Sequence, residues 1–98
     1  MTEPRTPCRT PNADGVTNIP TWKFEALRTA ILDAVEKAGP DGLLFKDLGA
    51  AVKSRLSTDE LSRLGSVGWH ATSVKLELEV AGEIKRVEKA TPQRIIRA

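Results

Sequence analysis

Residues 69–87 read WHATSVKLELEVAGEIKRV. Within this stretch Ala71, Val74, Leu78 and Ala81 recur at three- and four-residue steps. That spacing lays apolar side chains along one side of an α-helix and predicts a buried face. A second apolar set, Trp69, Leu76 and Val80, falls on an adjacent face. Two adjacent apolar faces imply either a wide buried surface or contact with another chain. Gly82 supplies a helix stop. Beyond it Ile84 and Val87 stand among Glu83, Lys85, Arg86 and Glu88, which predicts a short polar strand.

Upstream, Trp22, Phe24, Leu27, Ala30, Ile31, Ala34, Val35 and Ala38 repeat at helical spacing, with Lys23, Arg28, Asp33, Glu36 and Lys37 filling the other side. These predict an amphipathic helix over residues 21–38, with Thr21 as its cap and Gly39-Pro40 as its stop. Leu43-Leu44 is a candidate short strand. Phe45, Leu48, Ala51, Val52 and Leu56 give a second helix over 45–56. A further helical piece begins at Ser57 or Thr58, with Glu60 placed for a capping box from Ser57, and Leu61 and Leu64 anchor it. Gly65-Ser66-Val67-Gly68 breaks the pattern before the helix that ends at Ala81.

Downstream, residues 83–88 and 93–97 are expected to form two strands joined by a loop over 89–92, a small hairpin. Adjacent Ile95 and Ile96 point to opposite sides of the second strand. Residues 1–20 hold four of the six prolines and few apolar side chains, so they read as a flexible N-terminal arm preceding a domain over 21–98.

Ninety-eight residues make one small domain, and with two Phe, two Trp and no Tyr its core must be mostly aliphatic. The single cysteine, Cys8, has no partner for an internal disulfide, and the single histidine, His70, has no zinc-site spacing around it. His70, Ser73 and Glu77 share a helix face, but a convex helix surface is not an active-site pocket. His70 reads instead as a helix-start residue with a local hydrogen bond. No glycine-rich phosphate loop is present, since Gly65-Ser66-Val67-Gly68 lacks a following Lys-Ser or Lys-Thr. The expectation is a non-enzyme with no cofactor and no metal. With no apolar run of membrane-spanning length, a cytoplasmic location is the expected one. The net charge of +2 is unevenly spread. Residues 84–98 carry Lys85, Arg86, Lys89, Arg94 and Arg97 against Glu88, a net of +4, while residues 21–83 carry a net of −2. Such a local concentration of positive charge attracts phosphate.

The order helix, short strand, helix, helix, two-stranded wing over residues 21–97 resembles the winged helix-turn-helix superfamily. LELEVAGEIKRV, residues 76–87, resembles the junction of recognition helix and wing in that superfamily. The stretches GWHATSVKLELEVAGEI and TPQRIIR also resemble a family of small bacterial proteins of uncharacterised function. The first resemblance implies an α+β fold, a winged helix-turn-helix with a three-helix core and a C-terminal two-stranded wing. It also implies double-stranded DNA as partner, with Thr72, Ser73 and Lys75 on the helix and Lys85, Arg86, Lys89 and Arg94 on the wing.

Against that, base reading relies on Arg, Lys, Asn or Gln, and the helix offers one lysine and no arginine. Glu77 and Glu79 would be repelled by phosphate. The alternative is a winged-helix module that binds protein, itself as a homodimer or another chain, through Trp22, Trp69, Leu76 and Val80.

Overall fold

The computed structural model describes residues 4–11, 15–88 and 92–98. It is a mixed α+β domain with four helices and two small, open antiparallel sheets among the described residues. The strands are β1 (Arg5–Arg9), β2 (Val16–Pro20), β3 (Leu43–Leu44), β4 (Ile84–Arg86) and β5 (Arg94–Arg97). The helices are α1 (Thr21–Ala38), α2 (Leu48–Lys53), α3 (Thr58–Leu64) and α4 (Val67–Val80).

Each boundary has a local cause. Pro20, not Thr21, occupies the cap position of α1, and no side chain caps it. The Thr21 N–H instead donates to the Pro4 carbonyl at 2.9 Å, and the Thr21 hydroxyl meets that of Thr6 at 3.0 Å. The expected second helix is shorter than its apolar pattern: Phe45–Asp47 forms a 3-10 turn and α2 ends at Lys53. Ser57 and Glu60 form the reciprocal capping box of α3. Ser66 caps α4 by accepting from the Trp69 N–H at 3.2 Å. At the other end Glu83 N–H donates to the Leu78 carbonyl and Gly82 N–H to that of Glu79, a Schellman arrangement with Gly82 at φ 79°.

The second sheet has the order β3-β5-β4, with Leu43 opposite Ile95 and Lys85 opposite Ile96. The two-stranded C-terminal hairpin is therefore extended to three strands by Leu43-Leu44. Gly42 makes this close approach feasible: at φ 85°, a Cβ there would lie 3.0 Å from the Ile95 carbonyl oxygen. Ile95 is buried, and Ile96 on the opposite side is half-buried.

The stretch expected to be a flexible arm carries a hairpin over its described residues. β1 and β2 pair over five residues each, from Arg5 opposite Pro20 to Arg9 opposite Val16. The pairing leaves Cys8 and Ile19 only 3% and 1% exposed. Pro7 is tolerated because a two-stranded sheet consists of edge strands, where a missing N–H costs no ladder bond. The hairpin lies against α4 and α1. Its two buried residues join one core with Leu27 and Ile31 of α1, Val52 of α2, Leu64 of α3, and Val74 and Leu78 of α4.

Candidate functional site

α4 lies at the centre, packed against α1, α2, β1 and β4. Its core-facing residues are Ala71, Val74 and Leu78. At 3.6 residues per turn, the side opposite carries Trp69, Thr72, Ser73, Leu76 and Val80. Trp69 is 52% exposed and Val80 37% exposed, while Thr72, Ser73 and Leu76 are half-buried. The structure thus brings three of the four expected interface residues onto one outward stripe. Trp69 is steadied by an edge-on contact with the His70 ring, centroids 4.8 Å apart. His70 Nδ1 lies 2.6 Å from the Ser66 carbonyl oxygen, so this residue belongs to the helix start.

Trp22 sits elsewhere. It lines a groove of about 660 Å³ with Glu25 and Asp33 of α1, Arg55 and Leu56 after α2, and Glu60 of α3. The Arg63 guanidinium lies 5.1 Å from its ring centroid.

Two flanks border the outward stripe. On the hairpin side, Glu77 receives three hydrogen bonds from Arg9: from the backbone N–H at 2.8 Å, from Nε at 2.9 Å and from Nη2 at 2.6 Å. These bonds hold the Glu77 carboxyl below the usual carboxylate range against the opposing effect of its burial. Nearby Cys8 is pushed up to about 11, by burial first and then by the Glu77 charge, and so stays a thiol at neutral pH. On the β4 side, Arg86 Nε donates to Glu79 Oε1 at 2.9 Å. In both pairs the acid lies beneath the base: the side-chain exposures are 8% for Glu77 and Glu79, but 53% for Arg9 and 52% for Arg86.

Lys75 is a correction to the expected DNA-contacting set. It is 1% exposed, so it is withdrawn from any groove-facing surface. Its Nζ donates to Gln93 Oε1 at 3.0 Å, lies 3.4 Å from Glu79 Oε2 and stands 4.8 Å from the Phe45 ring centroid. Burial pushes its amine below the ordinary lysine value, opposed by the attraction of Glu79. Lys75 therefore ties α4 to the residues beside β3 and β5. Glu77 and Glu79 are likewise turned inward, not aimed at a groove.

On β4, Lys85 is exposed and borders a shallow recess of about 340 Å³ with Pro11, Glu79, Ile84 and Arg86. Arg94 is half-buried and its Nη1 donates to the Asp41 carbonyl at 3.4 Å, which turns it toward the α1–β3 connection. Lys89 lies outside the described residues. The partner that sequence reasoning missed is Arg9, assigned to the arm. Its signal was the alternation of Thr6 and Cys8 with Arg5, Pro7 and Arg9, which the proline content masked.

Among the described residues no group of three or more His, Cys, Asp or Glu could hold a metal ion, and no helix is long and apolar enough to cross a membrane. No curated protein and no solved structure matches the chain. A family model matches residues 5–95, a span that runs from the N-terminal hairpin through the helices into β5, and on that match the chain belongs to DUF6958, a family of unknown function.

Proposed function

We propose that this domain is a non-catalytic protein-interaction module, winged-helix-like in its frame, that docks its partner on the outward face of α4. The frame is supported by the succession α1, β3, α2, α3, α4, β4, β5 and by the strand order β3-β5-β4. The observation that carries the docking reading is the composition of the outward stripe: Trp69, Thr72, Ser73, Leu76 and Val80. It contains no charge and no amide. Inserted into a major groove, Leu76 and Val80 would cover polar base edges without returning a hydrogen bond, and no bidentate base reader is available. Against a protein the same residues form a solvent-facing aromatic anchor with aliphatic neighbours, the usual centre of an interface.

The competing reading, DNA binding through a basic wing, rests on Lys85, Arg86, Lys89 and Arg94. Of these, Arg94 is turned toward the Asp41 carbonyl and Lys89 lies outside the described residues, which leaves Lys85 and Arg86, the latter outermost over Glu79, as the outward charges. Titration of labelled duplex DNA of random sequence separates the two readings. The docking reading predicts no saturable binding at low salt from protein shown to be folded. Tight binding that weakens steeply with added salt, and that is lost on replacing Thr72, Ser73 and Lys85 by alanine, would overturn it.

A further inference from the structure

Resting on the protein-docking reading of α4, we propose that the partner of this face is an amphipathic helix whose apolar stripe is flanked by carboxylates. The floor of the site is apolar: Trp69, Leu76 and Val80 lie on one side of α4. From Trp69 to Val80 they span roughly 17 Å, about three helical turns, at 1.5 Å per residue. That length suits a short helix laid along α4.

The charge of the flanks selects the partner. Glu77 and Glu79 border the stripe on opposite sides, yet each lies beneath its arginine, 8% exposed under side chains exposed by 53% and 52%. An approaching chain meets Arg9 on one rim and Arg86 on the other before it meets the neutralising carboxylates. The geometry is an apolar floor between two outward-facing cationic rims, and its complement is an apolar stripe between two acidic rims. A second copy of this chain, packed face to face on α4, would set cationic rim against cationic rim. Duplex DNA would satisfy the rims and leave Trp69, Leu76 and Val80 without apolar contact.

The test uses the full chain and three synthetic peptides. One is helix-forming, with leucines at three- and four-residue steps and glutamates on both flanks. The second keeps the leucines and carries lysines on the flanks. The third keeps the glutamates and scrambles the leucines. Binding is read by fluorescence anisotropy of labelled peptide at low and moderate salt, with sedimentation of the protein alone beside it. The first peptide is expected to bind about tenfold tighter than the second, from a few rim ion pairs of modest strength each, with the gap narrowing as salt rises. Trp69→Ala abolishes binding, and Arg86→Gln weakens binding of the first peptide while strengthening the second. Because both positions are exposed, the two variants are expected to fold.

Equal binding of the first two peptides, lost in Trp69→Ala, would overturn the acidic partner and leave the docking face standing. Binding of neither peptide, with Trp69-dependent self-association in sedimentation, would do the same and assign the face to a second copy. Binding of neither by a protein that stays monomeric would also overturn the acidic partner. Peptide binding that Trp69→Ala leaves untouched would overturn both the partner and the face.

Discussion

Two residues show how far tertiary contacts can reassign a charged side chain. Lys75, read from sequence as a groove contact, is a buried tether. In Lys75→Met, Gln93 Oε1 loses its donor and Glu79 Oε2, which has no hydrogen bond of its own, loses its neighbouring cation. The variant is expected to lose about 1–3 kcal/mol in urea unfolding, the range for a buried polar group left without a partner. Stability within experimental error of the parent would contradict the tether. Arg9 is the second case. Its bonds hold the Glu77 carboxyl below its ordinary value. A depressed carboxylate stabilises the fold above its unfolded value and loses that contribution as pH falls through the folded one. The melting-temperature gap between the parent and Arg9→Met should therefore be widest near neutral pH and shrink as pH drops below the usual carboxylate range. A gap independent of pH would show that Arg9 acts through packing alone. No helical period could have revealed either role. Lys75 and Glu79 are four apart on one helix, but the side chain that accepts from Lys75 lies 18 residues further on, at Gln93.

At the scale of elements, α1, α3 and α4 were legible because their signals are local. The Ser57–Glu60 box, the Ser66 region before α4 and the Gly82 stop each act within a single turn, and the core stripes of α1 and α4 repeat at the expected step. The pairing of Leu43-Leu44 with the C-terminal strands was foreseeable only through the fold resemblance, since two residues carry no periodicity. The N-terminal hairpin was not read, because its stability comes from contacts with α1 and α4 far along the chain and its proline content mimics a linker. Ile19→Ala tests the hairpin directly. If β2 belongs to the core, the substitution costs about 2–5 kcal/mol, like any large-to-small change at a buried aliphatic site. An arm without a fold would lose nothing, so a change under about 0.5 kcal/mol, the size usual for surface positions, would return residues 16–20 to that status.

At the scale of the whole molecule, the three outward interface residues were legible as a second apolar set, Trp69, Leu76 and Val80, but not as a site. Whether such a face is core or surface depends on which neighbours cover the helix, and here β1 and β4 close the flanks while leaving the middle open. Trp22 shared the same sequence logic and lies in a different groove. Function and stability should separate cleanly at the open face: Trp69→Ala is expected to change unfolding free energy by no more than about 0.5 kcal/mol, as surface substitutions do. The measurement that bears most directly on the docking face is site-specific photo-crosslinking in the cells that make the protein, with a diazirine side chain at Thr72 and a control at exposed Ser62 on α3. The docking account predicts a discrete protein adduct from position 72 that disappears with Trp69→Ala and is not formed from position 62. An adduct to nucleic acid at position 72, or a protein adduct indifferent to Trp69, would contradict it.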